Sequence, residues 1–498
     1  MKQLVARACV AGLLAAGMLT GASGAALAAK DSLILGMVLE PPHLDPTAGA
    51  AAAIDEVVYA NIFEGLTRID RKGEVQPALA QSWTVSDDGL VYTFKLHDGV
   101  KFHDGSGFDS ADVKFSLERA MAEDSTNAQK GLFAMIDSIE ALDGSTVAVT
   151  LKQVAGDFLF NLGWGDAVIV APESAEENKN NPVGTGPFKF DRWVKGDRIE
   201  MSRNPDYWGK AAGLAKATIK IIPDPAAATA ALLAGDVDAF ANFPAPEALG
   251  QFEGDPRFTV AIGSTEGETI LAMNNAGAAL KDIRVRQALA HAIDRNAVID
   301  GAMFGYGTPI GSHFAPHHPA YVDLTGRYPY DPEQAKALLA EAGYGEGLTL
   351  SLKLPPPSYA RRSGEVVAAQ LAVVGVKAEI TQVEWAQWLE QVFKGKDYDL
   401  TIVSHTEPMD IGIYARDDYY FNYDDADFKA LMTELDATVA PDARYSLLAE
   451  AQKKLAEDSV NVFLFQFAKS GVWNKDLVGL WENSPVQAND LTEVHWNN

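Results

Sequence analysis

The alternation of hydrophobic and polar positions is clearest early in the chain. Residues 92–97 alternate strictly, which predicts a half-buried strand. Asp-Gly pairs at 98–99 and 104–105 indicate turns. Over residues 110–121 the apolar spacing becomes helical, and Ser110 is expected to cap this helix. Its buried face is predicted to contain Val113, Leu117, Ala120 and Met121.

A strand–helix–strand succession is predicted in the second part of the chain. Residues 348–354 read as a strand, and a helix follows that ends at Gly375. Two more strands are predicted over 376–380 and 398–403. Such units connect by right-handed crossovers, so we expect an α/β fold with mixed, largely parallel sheets flanked by helices.

The N-terminus has the pattern of a secretory signal peptide. Basic residues precede an apolar run over residues 8–19, which is too short to span a bilayer, and small residues follow at 26–28. We predict a signal peptide over 1–28, with maturation after Ala28 or Ala29. The mature protein is then expected in the periplasm.

Composition narrows the class of partner. The chain of 498 residues has 41 basic and 68 acidic residues, a net charge of −27. Such a charge repels phosphate backbones, so nucleic acid is not expected as a partner. The single cysteine, Cys9, lies inside the predicted leader, where it is not placed to accept a lipid. A mature chain of this length can bury a large core without disulfides and is expected to form more than one domain.

Several ordered segments carry a family resemblance. Leu-His-Asp-Gly-Val-Lys-Phe-His-Asp-Gly at 96–105, followed by Ser-Ala-Asp-Val-Lys-Phe-Ser-Leu-Glu-Arg at 110–119, closely resembles the signature of peptide/nickel-type solute-binding proteins of bacterial ABC importers (family 5, dipeptide/oligopeptide-binding-like). Further segments are similar to the same family in the same order: 181–190, 203–208, 282–295, 330–344 and 376–385.

The resemblance implies a two-lobed periplasmic-binding-protein fold with an extra inserted subdomain. The expected division is: signal peptide 1–28; lobe I 29–70, 188–276 and 475–498; inserted subdomain 71–187; closing lobe II 277–474. The expected partners are a small solute and an inner-membrane ABC permease, and the expected state is a monomer. A peptide or peptide-like solute is the first interpretation; an opine, an oligosaccharide or a nickel complex is the alternative.

Two loops differ from those with which dipeptide-binding relatives grip their ligand. In the loop over residues 404–410, His405 stands where tryptophan is expected. Either Glu407 or Asp410 could hold a ligand ammonium, since charge-assisted hydrogen bonds are strong in a dry cleft. The turn over 354–362 lacks the arginine expected before its tyrosine.

Four further residues are candidates for ligand contact. Trp385 could stack on a ligand, with core packing as the alternative. The other three are candidates from loop position alone: Glu40, Tyr359 and Arg361.

Catalytic and metal signatures are weak. The sequence has no Gly-x-Ser-x-Gly, His-Glu-x-x-His or phosphate-loop motif, so no enzyme is expected, and a secreted hydrolase remains the alternative of another class. The acids at 417–427 are interpreted as surface residues. His313, His317 and His318 share a Gly/Pro-rich loop and are the best metal candidates, but neither a metal site nor a cofactor is assigned.

Overall fold

The structure is a computed structural model that describes residues 30–49, 51–407, 409–438 and 440–497. The predicted signal peptide and both maturation sites lie outside the described residues. Among the described helices, none is long and apolar enough to cross a membrane.

The strands contribute to one large sheet and three small ones. They are β1 (Ser32–Met37), β2 (Thr67–Ile69), β3 (Val75–Pro77), β4 (Ala80–Val85), β5 (Val91–Leu96), β6 (Ile136–Asp143), β7 (Thr146–Leu151), β8 (Phe188–Val194), β9 (Arg198–Arg203), β10 (Lys216–Ile221), β11 (Ala239–Phe240), β12 (Phe258–Met273), β13 (Gly307–Pro309), β14 (Leu348–Leu354), β15 (Val376–Gln382), β16 (Leu400–His405), β17 (Asn461–Asn474), β18 (Leu477–Val478) and β19 (His495–Trp496).

The α-helices cover both faces of the large sheet and one face of the inserted one. They are α1 (Ala52–Val58), α2 (Ser110–Met121), α3 (Phe158–Asn161), α4 (Pro225–Ala234), α5 (Leu249–Glu253), α6 (Ile283–His291), α7 (Arg295–Met303), α8 (Pro332–Glu341), α9 (Ser358–Val373), α10 (Trp385–Trp388), α11 (Ala426–Asp436) and α12 (Pro441–Glu457). A π-helical turn, Leu389–Lys394, continues α10.

The predicted α/β class with mixed sheets is confirmed. The 11-stranded sheet has the order β15-β14-β16-β12-β17-β11-β1-β10-β9-β8, and β13 pairs with β17. The predicted strand–helix–strand unit is present, because β14 pairs in parallel with β15 and β16. In the other half β1 pairs in parallel with β10 and β11. The remaining ladders of this sheet are antiparallel, a larger share than the sequence analysis expected.

The early strand and helix are confirmed as β5 and α2, with one correction at the helix start. Asp109, not Ser110, is the N-cap: its carboxylate accepts from the Ala111 N–H at 2.7 Å, and Asp112 accepts from the Asp109 N–H at 2.9 Å. This reciprocal capping box satisfies two helix-end donors. The Ser110 hydroxyl instead donates to the Asp143 carbonyl.

Separate cores identify the parts of the molecule. We call β1 and β8–β11 with α1, α4 and α5 the first lobe. We call β13–β16 with α6–α12 the second lobe. The inserted four-stranded sheet β4-β5-β7-β6 packs against α2 around its own core, which includes Phe94 and Phe133. The domain boundaries given above remain predictions.

Two long strands, β12 and β17, join the lobes. Ala261 of β12 packs in the core of the first lobe, and Leu271 packs in that of the second. Between Ser264 and Glu268 the register of the ladder is broken. This irregular segment lies where the chain passes from one lobe to the other, next to the cavities described below.

Candidate functional site

A cavity of about 120 Å³, which we call the acidic cavity, lies between the lobes. Its walls come from α1 and the residues beside it, the segments 128–129 and 164–166, the loop after β16 and residues 486–487. Its lining residues are Gly49, Asp55, Tyr59, Ala128, Gln129, Trp164, Gly165, Asp166, Thr406, Glu407, Val486 and Gln487. Residues far apart in sequence therefore meet in one small, polar space.

Three buried polar atoms of this cavity have no hydrogen-bond partner among the described residues: Asp55 Oδ1, Asp166 Oδ1 and Trp164 Nε1. Burial and the neighbouring Asp166 raise the pKa of Asp55 well above its usual range. Burial also raises the pKa of Asp166 to about 7. Buried polar groups are normally hydrogen-bonded, so this arrangement points to a bound group that satisfies them.

Gly165 allows the two aspartates to approach each other. A Cβ atom at this position would lie 2.1 Å from Asp55 Oδ1, which is closer than atoms can approach without displacement. The side chain of Asp55 therefore occupies the space that any larger residue would need. This glycine determines the shape of the acidic cavity by its lack of a side chain.

Glu407 brings a carboxylate of the second lobe to the same cavity. It is exposed and lies two residues beyond the end of β16, where its Oε2 atom accepts from the Thr406 N–H at 3.2 Å. Met409 follows in a left-handed backbone conformation, φ 64°, and starts the 3₁₀ helix Asp410–Ala415. A non-glycine residue in this conformation is strained, a feature that clusters at functional sites.

Asp410 lines neither cavity and instead contacts two histidines. Its Oδ1 atom lies 2.8 Å from His313 Nε2, and its Oδ2 atom lies 3.7 Å from His405 Nδ1. Glu268 Oε1 lies 2.9 Å from His313 Nδ1 on the opposite side of the ring. Burial lowers the pKa of His313, but the two carboxylates outweigh burial and raise it to about 10. His405 is buried, and its Nε2 atom lies 2.9 Å from the Tyr420 hydroxyl.

A second cavity of about 680 Å³, which we call the large cavity, also lies between the lobes. The first lobe contributes Met37, Glu56 and Phe243, and the second contributes Tyr306 and Arg362. Burial raises the pKa of Glu56 to about 7, and nearby Lys469 opposes this rise. The large cavity is thus mainly aromatic and aliphatic, with acidic and basic groups on opposite walls.

Tyr359 lies in the first turn of α9, not in the loop before it, and it lines the large cavity. The Tyr359 hydroxyl accepts from the Ser404 N–H at 3.0 Å, and burial raises its pKa to about 12. Arg361 is not among the lining residues; its Nη2 atom lies 3.6 Å from Glu384 Oε1. The adjacent Arg362 lines the large cavity, and its guanidinium carbon lies 4.9 Å from the centre of the Phe304 ring.

Two other candidates lie away from both cavities. Trp385 is 42 % exposed, and its ring lies edge-on to that of Trp388, with 5.6 Å between the ring centroids. Glu40 accepts from Trp193 Nε1 at 2.9 Å and from the Gly196 N–H at 2.7 Å, so it ties the β8–β9 hairpin to the chain after β1.

The three histidines of the Gly/Pro-rich loop diverge. His317 contacts the irregular segment of β12: its Nδ1 atom lies 2.5 Å from Ser264 Oγ and its Nε2 atom 2.5 Å from Glu266 Oε1. His318 stacks on Phe314 and lies 3.1 Å from Met409 Sδ, and burial lowers its pKa to about 3. The loop therefore does not gather its imidazoles around one point.

Sequence reasoning did not identify Asp55, Glu56, Trp164 or Asp166. The first two belong to a short helix with no motif, and the other two follow a four-residue helix. Acidic residues are too common in this chain for any of them to stand out locally. These residues are identified as candidate site residues by their convergence in the folded protein and not by their residue types.

Comparison with known proteins identifies the family of the chain. Residues 74–427 match the family model "Bacterial extracellular solute-binding proteins, family 5 Middle". The chain is 35 % identical over 378 residues to the glutathione-binding protein GsiB of Pectobacterium atrosepticum, covering 73 % of this chain and 71 % of that protein. It is 33 % identical over 354 residues to the heme-binding protein A of Haemophilus influenzae, covering 65 % and 64 % of the two proteins.

A solved structure shows the same architecture. The chain superposes on the ABC transporter-associated periplasmic binding protein DppA of Helicobacter pylori, in complex with the peptide STSA, with a TM-score of 0.81. The two sequences are 26 % identical, and the superposition covers 94 % of this chain and 99 % of DppA. The two-lobed fold expected from the sequence is thereby confirmed.

Proposed function

Because the chain belongs to the bacterial extracellular solute-binding proteins of family 5, we propose that it captures a peptide or peptide-like solute with a cationic group between its lobes. The protein is a solute-binding component of an ABC transporter. Periplasmic location, delivery to an inner-membrane permease and a monomeric state belong to the proposal.

The acidic cavity is the observation that carries this proposal. Asp55 and Asp166 each present a buried carboxylate oxygen without a partner, and Glu407 lines the same space. Leaving such atoms unsatisfied costs about 1–3 kcal/mol each. An ammonium or guanidinium group offers several donors and a positive charge, so it satisfies these oxygens and the raised pKa values fall on binding.

The carboxylates come from opposite sides of the cleft. Asp55 belongs to α1, which packs in the core of the first lobe, whereas Glu407 follows β16 of the second lobe. A cation bound between them is attracted to both lobes at once. Its binding energy therefore favours the closed arrangement, the state in which both lobes are correctly presented to a permease.

The large cavity is suited to the remainder of the solute. The two cavities are adjacent, because residues close in sequence line different ones. Asp55 and Gln487 line the acidic cavity, whereas Glu56 and Asn489 line the large cavity. The large cavity offers aromatic surface at Phe243 and, on Arg362, a guanidinium suited to a ligand carboxylate. Its volume falls within the usual range for small-molecule sites.

Binding tests on the acidic cavity decide the proposal. Calorimetry with a peptide panel should find a ligand that Asp166→Asn and Glu407→Gln each weaken by about 2–5 kcal/mol, because an unpaired charge is left in the cleft. An N-acetylated form of that peptide should bind weakly to wild type. Asp417→Asn, a matched change at an exposed carboxylate, should leave affinity unchanged. Wild-type affinity in both cavity variants would contradict the proposal.

One contact favours the hydrolase alternative. Ser264, His317 and Glu266 form a line of 2.5 Å contacts like that of a serine nucleophile, its base and an orienting acid. The Ser264 hydroxyl, however, also lies 3.2 Å from Asn483 Oδ1. Mass spectrometry should recover the bound peptide intact from wild type. Cleavage that Ser264→Ala abolishes would establish the hydrolase instead.

A further inference from the structure

The inserted subdomain contacts the second lobe directly at Gly156. This residue lies between β7 and α3, beside Ala155 of the inserted core. A Cβ atom added to it would lie 2.0 Å from Arg444 Nη1 and 2.3 Å from the Thr438 carbonyl oxygen. Thr438 lies between α11 and α12, and Arg444 lies near the start of α12. We call Gly156, Thr438 and Arg444 the clasp, because they join two separate parts of the molecule.

The clasp depends on the missing side chain of Gly156 and not on its backbone conformation. Gly156 is not one of the glycines with a positive φ, so an alanine could adopt its backbone conformation. One of the two atoms nearest to the added Cβ belongs to the main chain of Thr438. Any side chain at position 156 would therefore push the two surfaces apart.

Arg444 is held in place by its own lobe. It is 8 % exposed, and its Nη1 atom donates to the Leu435 carbonyl at 2.8 Å and to the Thr438 carbonyl at 3.0 Å. These hydrogen bonds tie the end of α11 to the start of α12. Moving the guanidinium away from Gly156 would break both of them in a buried place, which is unfavourable. The surface that receives Gly156 is therefore formed by the second lobe itself.

Charged groups from both sides interact at the clasp. Burial raises the pKa of Asp436, the last residue of α11, and Asp157 raises it further, whereas Arg444 opposes the rise. Asp157 follows Gly156 in the inserted subdomain, so an acid of one part acts on an acid of the other. The guanidinium of Arg444 lies beside Gly156 and offsets the repulsion between the two carboxylates.

Both sides of the clasp are connected to residues of the acidic cavity. In the inserted subdomain, the chain passes from Gly156 through α3 to Asp166, which lines that cavity. In the second lobe, α11 packs on the 3₁₀ helix that follows Glu407, with 6.3 Å between the ring centroids of Phe428 and Tyr414. A shift at the clasp is therefore expected to change the space between Asp166 and Glu407.

We propose that the clasp stabilises the closed arrangement of the acidic cavity, so that the inserted subdomain takes part in solute capture together with the two lobes. This proposal rests on the proposed function, because the closure brings Asp166 and Glu407 to one solute. Every atom of the clasp belongs to the chain, so the contact can form before a solute binds. A binding site whose competent state is already populated loses less affinity to rearrangement.

Distances between spin labels in the solute-free protein test the clasp. Glu140→Cys on β6 and Lys453→Cys on α12 place one label on each side, both at exposed positions. Cys9→Ser removes the only native thiol of the chain. Electron double resonance should find a short interlabel distance in this protein. Gly156→Ala should lower the ratio of short to long distances by about 5- to 150-fold, because the added Cβ overlaps with the second lobe.

Arg444→Gln tests the same contact from the other side. It removes the charge that offsets the repulsion between Asp157 and Asp436, so it should lower the same ratio. Gly144→Ala is the matched control in the β6–β7 turn, since no atom lies within 4 Å of its added Cβ, and it should leave the distances unchanged.

Denaturant titration identifies which variants fold, and the distances are compared among those. A single long distance in the wild-type background would overturn the clasp. Equal distributions in that background and in either folded variant, Gly156→Ala or Arg444→Gln, would overturn it as well. No solute is present in these measurements, so the clasp and the binding of a cationic solute can fail independently.

Discussion

Asp55 and Glu56 are consecutive residues of α1, yet their carboxylates line different cavities. Successive helical residues point about 100° apart, so one short helix can divide the cleft in two. Burial raises the pKa of both carboxyl groups. The division gives the cleft a small acidic compartment beside a large, mainly apolar one.

Affinity for a cationic solute should rise with pH. Burial raises the pKa of Asp166 to about 7, so this carboxyl group is protonated below that pH in the solute-free protein. A bound cation favours the carboxylate and releases the proton. Calorimetry should therefore show affinity increasing as pH rises towards 7, with Asp166 contributing up to about tenfold per pH unit.

Asp166→Asn should flatten this dependence as well as weaken binding. Asp417→Asn should keep the wild-type profile, because Asp417 is exposed and paired with Lys429. An affinity that falls as pH rises towards 7 would contradict the assignment of a cation to the acidic cavity.

Gly165→Ala should damage the acidic cavity directly. The new Cβ atom would meet Asp55 Oδ1 at 2.1 Å, so the carboxylate must move. We expect a loss of about 1–3 kcal/mol in the free energy of unfolding and at least about tenfold weaker solute binding. Gly131→Ala is the matched control, since no atom lies within 4 Å of its added Cβ. Wild-type affinity in Gly165→Ala would show that the position of Asp55 is unimportant.

The contact between Asp45 and Arg119 should stabilise the joint between the inserted subdomain and the first lobe. Asp45 is fully buried, accepts from the Thr47 N–H at 2.9 Å and lies 3.4 Å from Arg119 Nη2 on α2. Asp45→Asn should lower the free energy of unfolding by about 1–3 kcal/mol, measured by denaturant titration. Glu118→Gln breaks only an exposed pair on the same helix and should change it by less than about 0.5 kcal/mol.

His103 should make stability fall in mild acid. Burial lowers its pKa to about 4, and its Nε2–H donates to the Gly186 carbonyl at 2.9 Å. Its contribution is fully present above pH 6.5, where the unfolded chain is also neutral, and is lost as pH falls from 6.5 to 4. The loss should be roughly 2–3 kcal/mol.

Guanidinium midpoints between pH 4 and 8 measure this loss. His103→Gln should show a shallower pH dependence than wild type, whereas His495→Gln, a change at an exposed ring, should match wild type. Equal slopes in wild type and His103→Gln would assign the acid sensitivity to other groups.

Secondary structure could be predicted from the sequence where a single segment contains the whole hydrophobic pattern. The alternation over residues 92–97 predicted β5, and the apolar spacing after residue 110 predicted α2. The cap was misassigned by one residue, because Asp109 and Ser110 are both good caps and only the backbone conformation distinguishes them.

The candidate site was only partly predictable. Loop position identified Glu407 and Tyr359, and the structure places each of them at a cavity. Asp410 was an equally plausible ligand-binding residue in the sequence. In the structure its carboxylate contacts His313, 97 residues away, and lines neither cavity. No local pattern encodes such a contact.

The sequence by itself indicated the family through its ordered motifs. It also indicated the α/β class through the strands and helices that it predicted locally, because periodicity, caps and turn residues act over a few positions. The meeting of Asp55, Asp166 and Glu407 was decided only by the tertiary structure. More than 100 residues separate each of them from the next along the chain. The burial and raised pKa values of Asp55 and Asp166, and the cavity that they share with Glu407, exist only once both lobes have folded and face each other.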